Sequence, residues 1–392
     1  MNPGLRSISW YLHRVRYGVR ALLLCTAALV VFTACGGTKF EGGKDSLSVA
    51  VGESKVAERT VSDSAAAMSG SAVMAPANAE QAAVLAELGT LGGKPIESLT
   101  AVEARRQPLP TDAVLSLLRR REEPTKPEAV GAVTNQVIRG KSGAVPIRIY
   151  KPKTGSNHPV IVYFHGGGFV IATIDTYDAS ARALSNAAQA IVVSVEYRKA
   201  PEAKFPAAHD DALTAYKWVV DNAASLGGNA DRIALAGESA GGNLAIATAI
   251  AARDGGLRAP VAILAVYPVA SNDTTSVSYT QYAMAKPLNR AMMSWFFTQY
   301  LRTPADAQDT RLNLVAANLK GLPPTTIITA QIDPLRSDGD ALAEKLRAAG
   351  VTVESRNFDG VAHEFFGQGA VVETARDAVK FAGDALRKTL GG

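Results

Sequence analysis

The stretch "LAGESAGG", residues 235–242, sets Ser239 between Gly237 and Gly241, directly after the apolar run "RIALA". A serine hydroxyl is a weak nucleophile until a base removes its proton, and the base must be oriented by a third group. Small flanking residues are what a sharp strand-to-helix turn needs if that hydroxyl is to stand above a sheet. The N–H of Ala240 would then open the following helix and point to where charge develops on an attacked carbonyl. A simple helix-starting turn would use the same glycines, so the motif gains meaning only from partners elsewhere.

Such partners exist. "YFHGGGF" carries His165, Gly166, Gly167 and Gly168 at the end of another apolar run. Backbone without side chains can approach a substrate closely and donate N–H groups to an oxyanion. His165 reads as support for this loop rather than as the base, because it precedes the serine and belongs to the loop motif. Downstream, "ITAQIDPLRSDGD" ends a strand at Asp333, and "FDGVAHEFF" places His363 in a loop after the strand-like "VTVESRNF". The order serine, aspartate, histidine suits acyl transfer on a strand–turn–helix scaffold.

Asp338 and Asp340 are rivals for the acid, but both are expected at the opening of the helix "DALAEKLRAAG", where carboxylates complement the dipole. Asp359 is a weaker rival. His13 falls in the leader, His158 in a polar turn, and His209 beside Asp210 and Asp211 at a helix start. None has metal-ligand spacing, so neither a metal site nor a cofactor is implied.

These residues must be held by regular elements. The runs "NQVIRG", "VPIRIYKP", "PVIVYFH", "AIVVSVEY", "RIALAGES", "VAILAVYP" and "TTIITAQID" read as strands. Helical patches such as "DDALTAYKWVVDNAA" and "GGNLAIATAIAARD" separate most of the later ones. That alternation predicts an α/β fold with a mostly parallel sheet covered on both faces. Reactive groups in such a sheet gather at the carboxyl ends of its strands. Residues 81–130 read as a small helical segment, with a capping box at Thr100 and Glu103, ahead of a catalytic domain over 131–392. Among the aromatics, Tyr163 and Phe169 flank the glycine loop, Trp218 sits in a helical core pattern, and Trp295, Phe296 and Phe297 suit either a pocket wall or cap packing.

The chain has 392 residues, 47% hydrophobic and 20% charged, an ordinary balance for a globular protein with a sizeable core. Lys and Arg outnumber Asp and Glu by 41 to 36, but Arg6, Arg14, Arg16 and Arg20 fall in a first segment without acidic residues. The rest is nearly neutral and offers no field for nucleic acid. "ALLLCTAALVVFTAC", residues 21–35, is shorter than the ~20 residues a spanning helix needs, and with its basic prelude it reads as a secretory signal over 1–35. "FTAC" resembles the lipobox of bacterial lipoproteins, with Cys35 as the lipidated residue and Phe32 where leucine is usual. The expectation is an exported protein held at a membrane by that lipid. Cys25 would leave with the leader, so no disulfide is expected. The Gly-, Ser- and Ala-rich residues 36–80 read as a flexible tether.

Together "FHGGGF", "GESAGG", "IDPL" and "GVAHEF", with "EYRKAPEAKFPAA" between the first two, resemble the hormone-sensitive-lipase-like branch of the α/β hydrolases, over about 81–390. The resemblance implies an α/β-hydrolase fold with a small helical cap, whose second segment spans 270–302. It implies Ser239 as nucleophile, His363 as general base and Asp333 as orienting acid. Gly167, Gly168 and Ala240, with Gly166 beside them, would supply the oxyanion donors. The implied activity is hydrolysis of short- to medium-chain acyl esters through an acyl-enzyme. An amide hydrolase with the same triad is the runner-up, ahead of a non-catalytic binding module. Glu238 and Glu196 replace the commoner aspartates, and Lys199 replaces leucine.

Overall fold

In the computed structural model, residues 75–140 and 143–391 are described. The expected leader with Cys35, and the expected tether as far as residue 74, lie outside them. The strands are β1 Ala132–Gly140, β2 Gly143–Lys151, β3 His158–Phe164, β4 Ile191–Val195, β5 Gly228–Glu238, β6 Ala262–Val266, β7 Thr325–Ile332 and β8 Val353–Ala362. They form one 8-stranded sheet in the order β1-β2-β4-β3-β5-β6-β7-β8. β2 runs antiparallel to both β1 and β4, and every pairing from β4 to β8 is parallel.

The helices follow as α1 Ala79–Thr90, α2 Ala101–Ala104, α3 Pro110–Arg120, α4 Asp178–Ala188, α5 Ala207–Asn222 and α6 Ala240–Asp254. The remainder are α7 Val277–Gln281, α8 Arg290–Tyr300, α9 Arg336–Ala348 and α10 Glu373–Leu390. β3 shows why the central strands are apolar at every position. Val160, Val162 and Phe164 join one core with Ala212 of α5, Leu244 of α6 and Leu342 of α9. Ile161 and Tyr163 point the other way, into a second core with Leu184 of α4 and Leu386 of α10. Each such side chain contributes roughly 1.5–3 kcal/mol on burial, so a one-residue register slip would exchange two fully occupied faces.

The amino-terminal helices form as their caps dictate. The Thr100 hydroxyl accepts the Glu103 N–H at 3.3 Å, and the Glu103 carboxylate accepts the Thr100 N–H at 3.0 Å. α1 starts at Ala79, ahead of the expected onset at 81, because Asn78 caps it by accepting the Gln81 N–H at 2.8 Å. His158 opens β3 instead of sitting in a turn, and Trp218 is only half-buried at the margin of the core. Asn289 caps α8 in the same manner as Asn78, through the Met292 N–H at 2.8 Å.

Four strand ends matter most. β3 stops at Phe164, β5 at Glu238, β7 at Ile332 and β8 at Ala362. The next residues are His165, Ser239, Asp333 and His363.

Candidate active site

Ser239 joins β5 to α6 with φ 55° and ψ −117°, a conformation that costs a non-glycine residue on the order of 1–3 kcal/mol. The surroundings enforce it. The Ser239 N–H donates to the Val266 carbonyl at 2.9 Å, and its own carbonyl accepts the N–H groups of Asn243 and Val269, each at 3.2 Å. A Cβ on Gly237 would strike the Gly241 carbonyl, and one on Gly241 would strike the carbonyl oxygen of Phe164. The flanking glycines are therefore required by the close approach of three backbone segments.

The glycine loop is held from behind. The Tyr197 hydroxyl donates to the carbonyls of His165 at 2.8 Å and Gly166 at 3.0 Å, and its ring stacks on His165 with centroids 4.3 Å apart. His165 Nδ1 lies 2.8 Å from the Gly166 carbonyl, so it carries the proton. Burial pulls His165 down to about 4, leaving a neutral ring that supports the loop. The Gly167 carbonyl accepts the N–H groups of Val170 and Ile171 at 3.0 and 2.9 Å, closing the turn. Arg105 of the first cap segment donates to the Val170 carbonyl at 2.8 Å and grips Glu202 through both terminal nitrogens. Next along, Phe169 stacks on Tyr300 at 4.2 Å, and the Tyr300 hydroxyl meets His209 Nδ1 at 2.9 Å. His209 Nε2 faces Asn243 Oδ1 at 3.0 Å, so this buried histidine braces the loop. Among the described residues, the N–H groups of Gly167, Gly168 and Ala240 have no backbone partner.

The structure brings Ser239, His363 and Asp333 together. His363 Nε2 lies 3.0 Å from Ser239 Oγ, and Nδ1 lies 2.6 Å from Asp333 Oδ2. All three are buried. Asp333 Oδ1 accepts the Leu335 N–H at 2.8 Å, which fixes the carboxylate plane. Burial disfavours the imidazolium most, yet the Asp333 charge and hydrogen bond outweigh it and hold His363 above its ordinary value.

The rivals go elsewhere. Asp338 lies in the first turn of α9 but does not serve the helix dipole from the surface; it is buried and accepts the N–H groups of Ala270 and Ser271 at 3.0 and 2.9 Å. Asp340 sits further into α9, 3.9 Å from Arg336, and Asp359 accepts from the Asn357 amide at 2.8 Å. Glu196 and Lys199, two departures in one loop, pair with each other.

Above the triad lies a cavity of about 390 Å³. Its floor includes Gly167, Gly168, Ser239 and His363, while Gly166 is not among its lining residues. Leu85, Leu88, Ile96 and Leu109 line the cavity together with Met284, Leu288, Met292 and Phe296. Of the aromatic run, Phe296 reaches the cavity, Trp295 packs the cap and Phe297 is half-buried against the core. Sequence reasoning did not find Glu364, Tyr177 or Tyr267 near His363. Adjacency to His363 was the only signal for Glu364, and the two tyrosines carry none. Among the described residues, no group of three or more His, Cys, Asp or Glu is placed to hold a metal ion, and no helix is long and apolar enough to cross a membrane.

A family model described as alpha/beta hydrolase fold matches residues 161–367, from β3 past His363. The chain belongs to this family. Carboxylesterase NlhH of Mycobacterium tuberculosis is 43% identical over 251 residues, covering 63% of this chain and 79% of the relative. Ethyl acetate hydrolase of Pseudomonas putida is 33% identical over 314 residues, covering 78% of this chain and 96% of the relative. The solved hyperthermophilic esterase from the archaeon Pyrobaculum calidifontis superposes with a TM-score of 0.71 at 36% identity, covering 80% of this chain and 98% of that one. The sheet with its flanking helices is thus an α/β-hydrolase fold, and this member of the family is a serine ester hydrolase.

Proposed function

We propose that this hydrolase cleaves short- to medium-chain acyl esters of small molecules through Ser239, His363 and Asp333. One observation carries the reading. The relay from Asp333 to His363 to Ser239, with contacts of 2.6 and 3.0 Å, opens into a largely apolar cavity that also exposes Gly167 and Gly168. His363 takes the Ser239 proton as the hydroxyl oxygen attacks the ester carbonyl. The tetrahedral oxyanion is met by the N–H groups of Gly167, Gly168 and Ala240, at no reorganisation cost because the loop and elbow already hold them. His363 returns the proton to the departing alcohol, leaving an acyl-serine. Water then attacks that ester with His363 again as base, releasing the acid and restoring Ser239.

The helical segments lining the cavity support the acyl range, since a pocket of about 390 Å³ limits chain length. Hydrolysis of p-nitrophenyl esters from acetate to palmitate, alongside Ser239→Ala, tests both parts. A maximum at short or medium chains that disappears in Ser239→Ala is expected, with a loss of roughly 10⁶ in kcat by the subtilisin precedent. A maximum at palmitate would overturn the acyl range; retained turnover in Ser239→Ala would overturn the triad. Faster cleavage of the matching anilide would favour the amide reading.

We also propose that the protein is an exported, lipid-anchored enzyme of a bacterial envelope. The basic prelude, the short apolar run and the small residues before Cys35 support this. Radiolabelled palmitate should be incorporated in a bacterial host and lost in Cys35→Ala. Absence of label from the unaltered chain would overturn the anchor.

A further inference from the structure

Glu364, immediately after His363, holds φ 68°, where a residue with a Cβ is strained. Both of its carboxylate oxygens lie 2.6 Å from the Tyr177 hydroxyl, and Oε1 lies 3.9 Å from His363 Nε2. Tyr177 also abuts the glycine loop, since a Cβ on Gly166 would strike its hydroxyl. Asp333 meets the opposite ring nitrogen, so His363 lies between two carboxylates.

The other groups around this histidine are neutral or acidic. The Tyr267 ring lies 4.5 Å from the His363 ring. Glu238, behind Ser239, accepts the Tyr163 hydroxyl at 2.5 Å and the Tyr267 hydroxyl as well. Burial, then the Glu364 charge, pushes Glu238 up to about 7; burial raises Glu364 as well, against the His363 charge and the Tyr177 hydrogen bond, which hold it down. Among the described residues, no Lys or Arg pairs with Asp333, Glu238 or Glu364; Lys94 and Lys286 belong to the cavity wall.

We infer that Glu364 is a positioning residue that stabilises the His363 imidazolium from its Nε2 side, with Tyr177 fixing the carboxylate for that purpose. The inference rests on the proposed triad. Ser239 must lose its proton to His363, and a second negative charge beside the ring favours the protonated state. A strained, non-glycine residue beside the base fits such a role, because glycine would relieve the strain but supply no charge.

The test is kcat/KM against pH for the unaltered enzyme, Glu364→Gln and Glu364→Gly, with Ser239→Ala in parallel. The acid limb reports the free-enzyme base. Both Glu364 variants should move that limb to lower pH, by at least about half a unit, and lower the plateau kcat a few-fold. Glu364→Gly removes the strain and also the partner of the buried Tyr177 hydroxyl, so its Tm is read only to confirm folding. An acid limb that stays in place in both variants overturns the inference, and so does a fall in Tm in Glu364→Gln without movement of the limb. Activity in Ser239→Ala overturns the triad itself, whereas an unmoved limb beside an inactive Ser239→Ala overturns only the role of Glu364.

Discussion

The Trp295 indole N–H donates to the Leu99 carbonyl at 3.1 Å, so the second cap segment is tied directly to the first. Both segments line the cavity above Ser239 and His363, and this bond joins them. Trp295→Phe keeps an aromatic ring but loses the indole N–H and part of the ring volume. It should cost at least about 1 kcal/mol, the net worth of a typical hydrogen bond, and raise KM while leaving kcat nearly unchanged. Steady-state kinetics with urea unfolding would check this; an unchanged KM would show that the tie does not shape the pocket.

Gly241→Ala and Gly168→Ala should fail in different ways. A Cβ at Gly241 meets the rigid carbonyl of Phe164, so the elbow cannot close, and loss of soluble folded protein is expected. A Cβ at Gly168 meets the Phe296 side chain instead of backbone, and φ 59° adds a strain of roughly 1–2 kcal/mol for alanine. That variant should fold yet lose on the order of 10²–10³ in kcat, because a displaced N–H no longer meets the oxyanion. Comparable kcat in Gly168→Ala and the unaltered enzyme would remove this glycine from the oxyanion site.

Asp338 carries a pH dependence of stability. Burial pushes it up to about 8 from an ordinary 3.8, so the folded state keeps a proton that the unfolded chain releases. Stability from this group is greatest below the unfolded value and falls as pH rises toward the folded one, with a slope of at most about 1.4 kcal/mol per pH unit. Asp338→Asn keeps an acceptor for the Ala270 and Ser271 N–H groups without ionising. Urea midpoints at pH 5 and pH 8 should therefore drop less in the variant than in the unaltered protein. Parallel changes in the two proteins would refute the assignment.

Lys199 and Glu196 should prove interdependent. Glu196 accepts the Ile174 N–H at 2.8 Å with one oxygen and pairs with Lys199 through the other. Lys199→Leu alone leaves a largely buried charge without its partner, which should cost about 1–3 kcal/mol. Adding Glu196→Gln should recover part of that loss. A double-mutant cycle by thermal unfolding would reveal the coupling, and strict additivity would deny it.

Much of this protein was legible without coordinates. Strands buried on both faces must be apolar at every position, so "PVIVYFH" and "RIALAGES" announced themselves, and with them the residues that follow each strand. Ser239, His165 and the glycine loop were visible because local backbone geometry restricts which residues can stand there. The acid was less certain, since Asp333, Asp338, Asp340 and Asp359 share one composition and differ only in what they face. Tertiary structure separated them: Asp333 reaches His363, while Asp338 turns inward to a loop far away in sequence. The same holds for the charge cluster. Glu364, Tyr177, Glu238 and Tyr163 come from four separate segments, and no local pattern records that they meet. Sequence determined which backbone could bend and which strands could be buried, because those are short-range constraints. Only folding decided which distant side chains share a dielectric and a proton, because that depends on the packing of strand ends and cap.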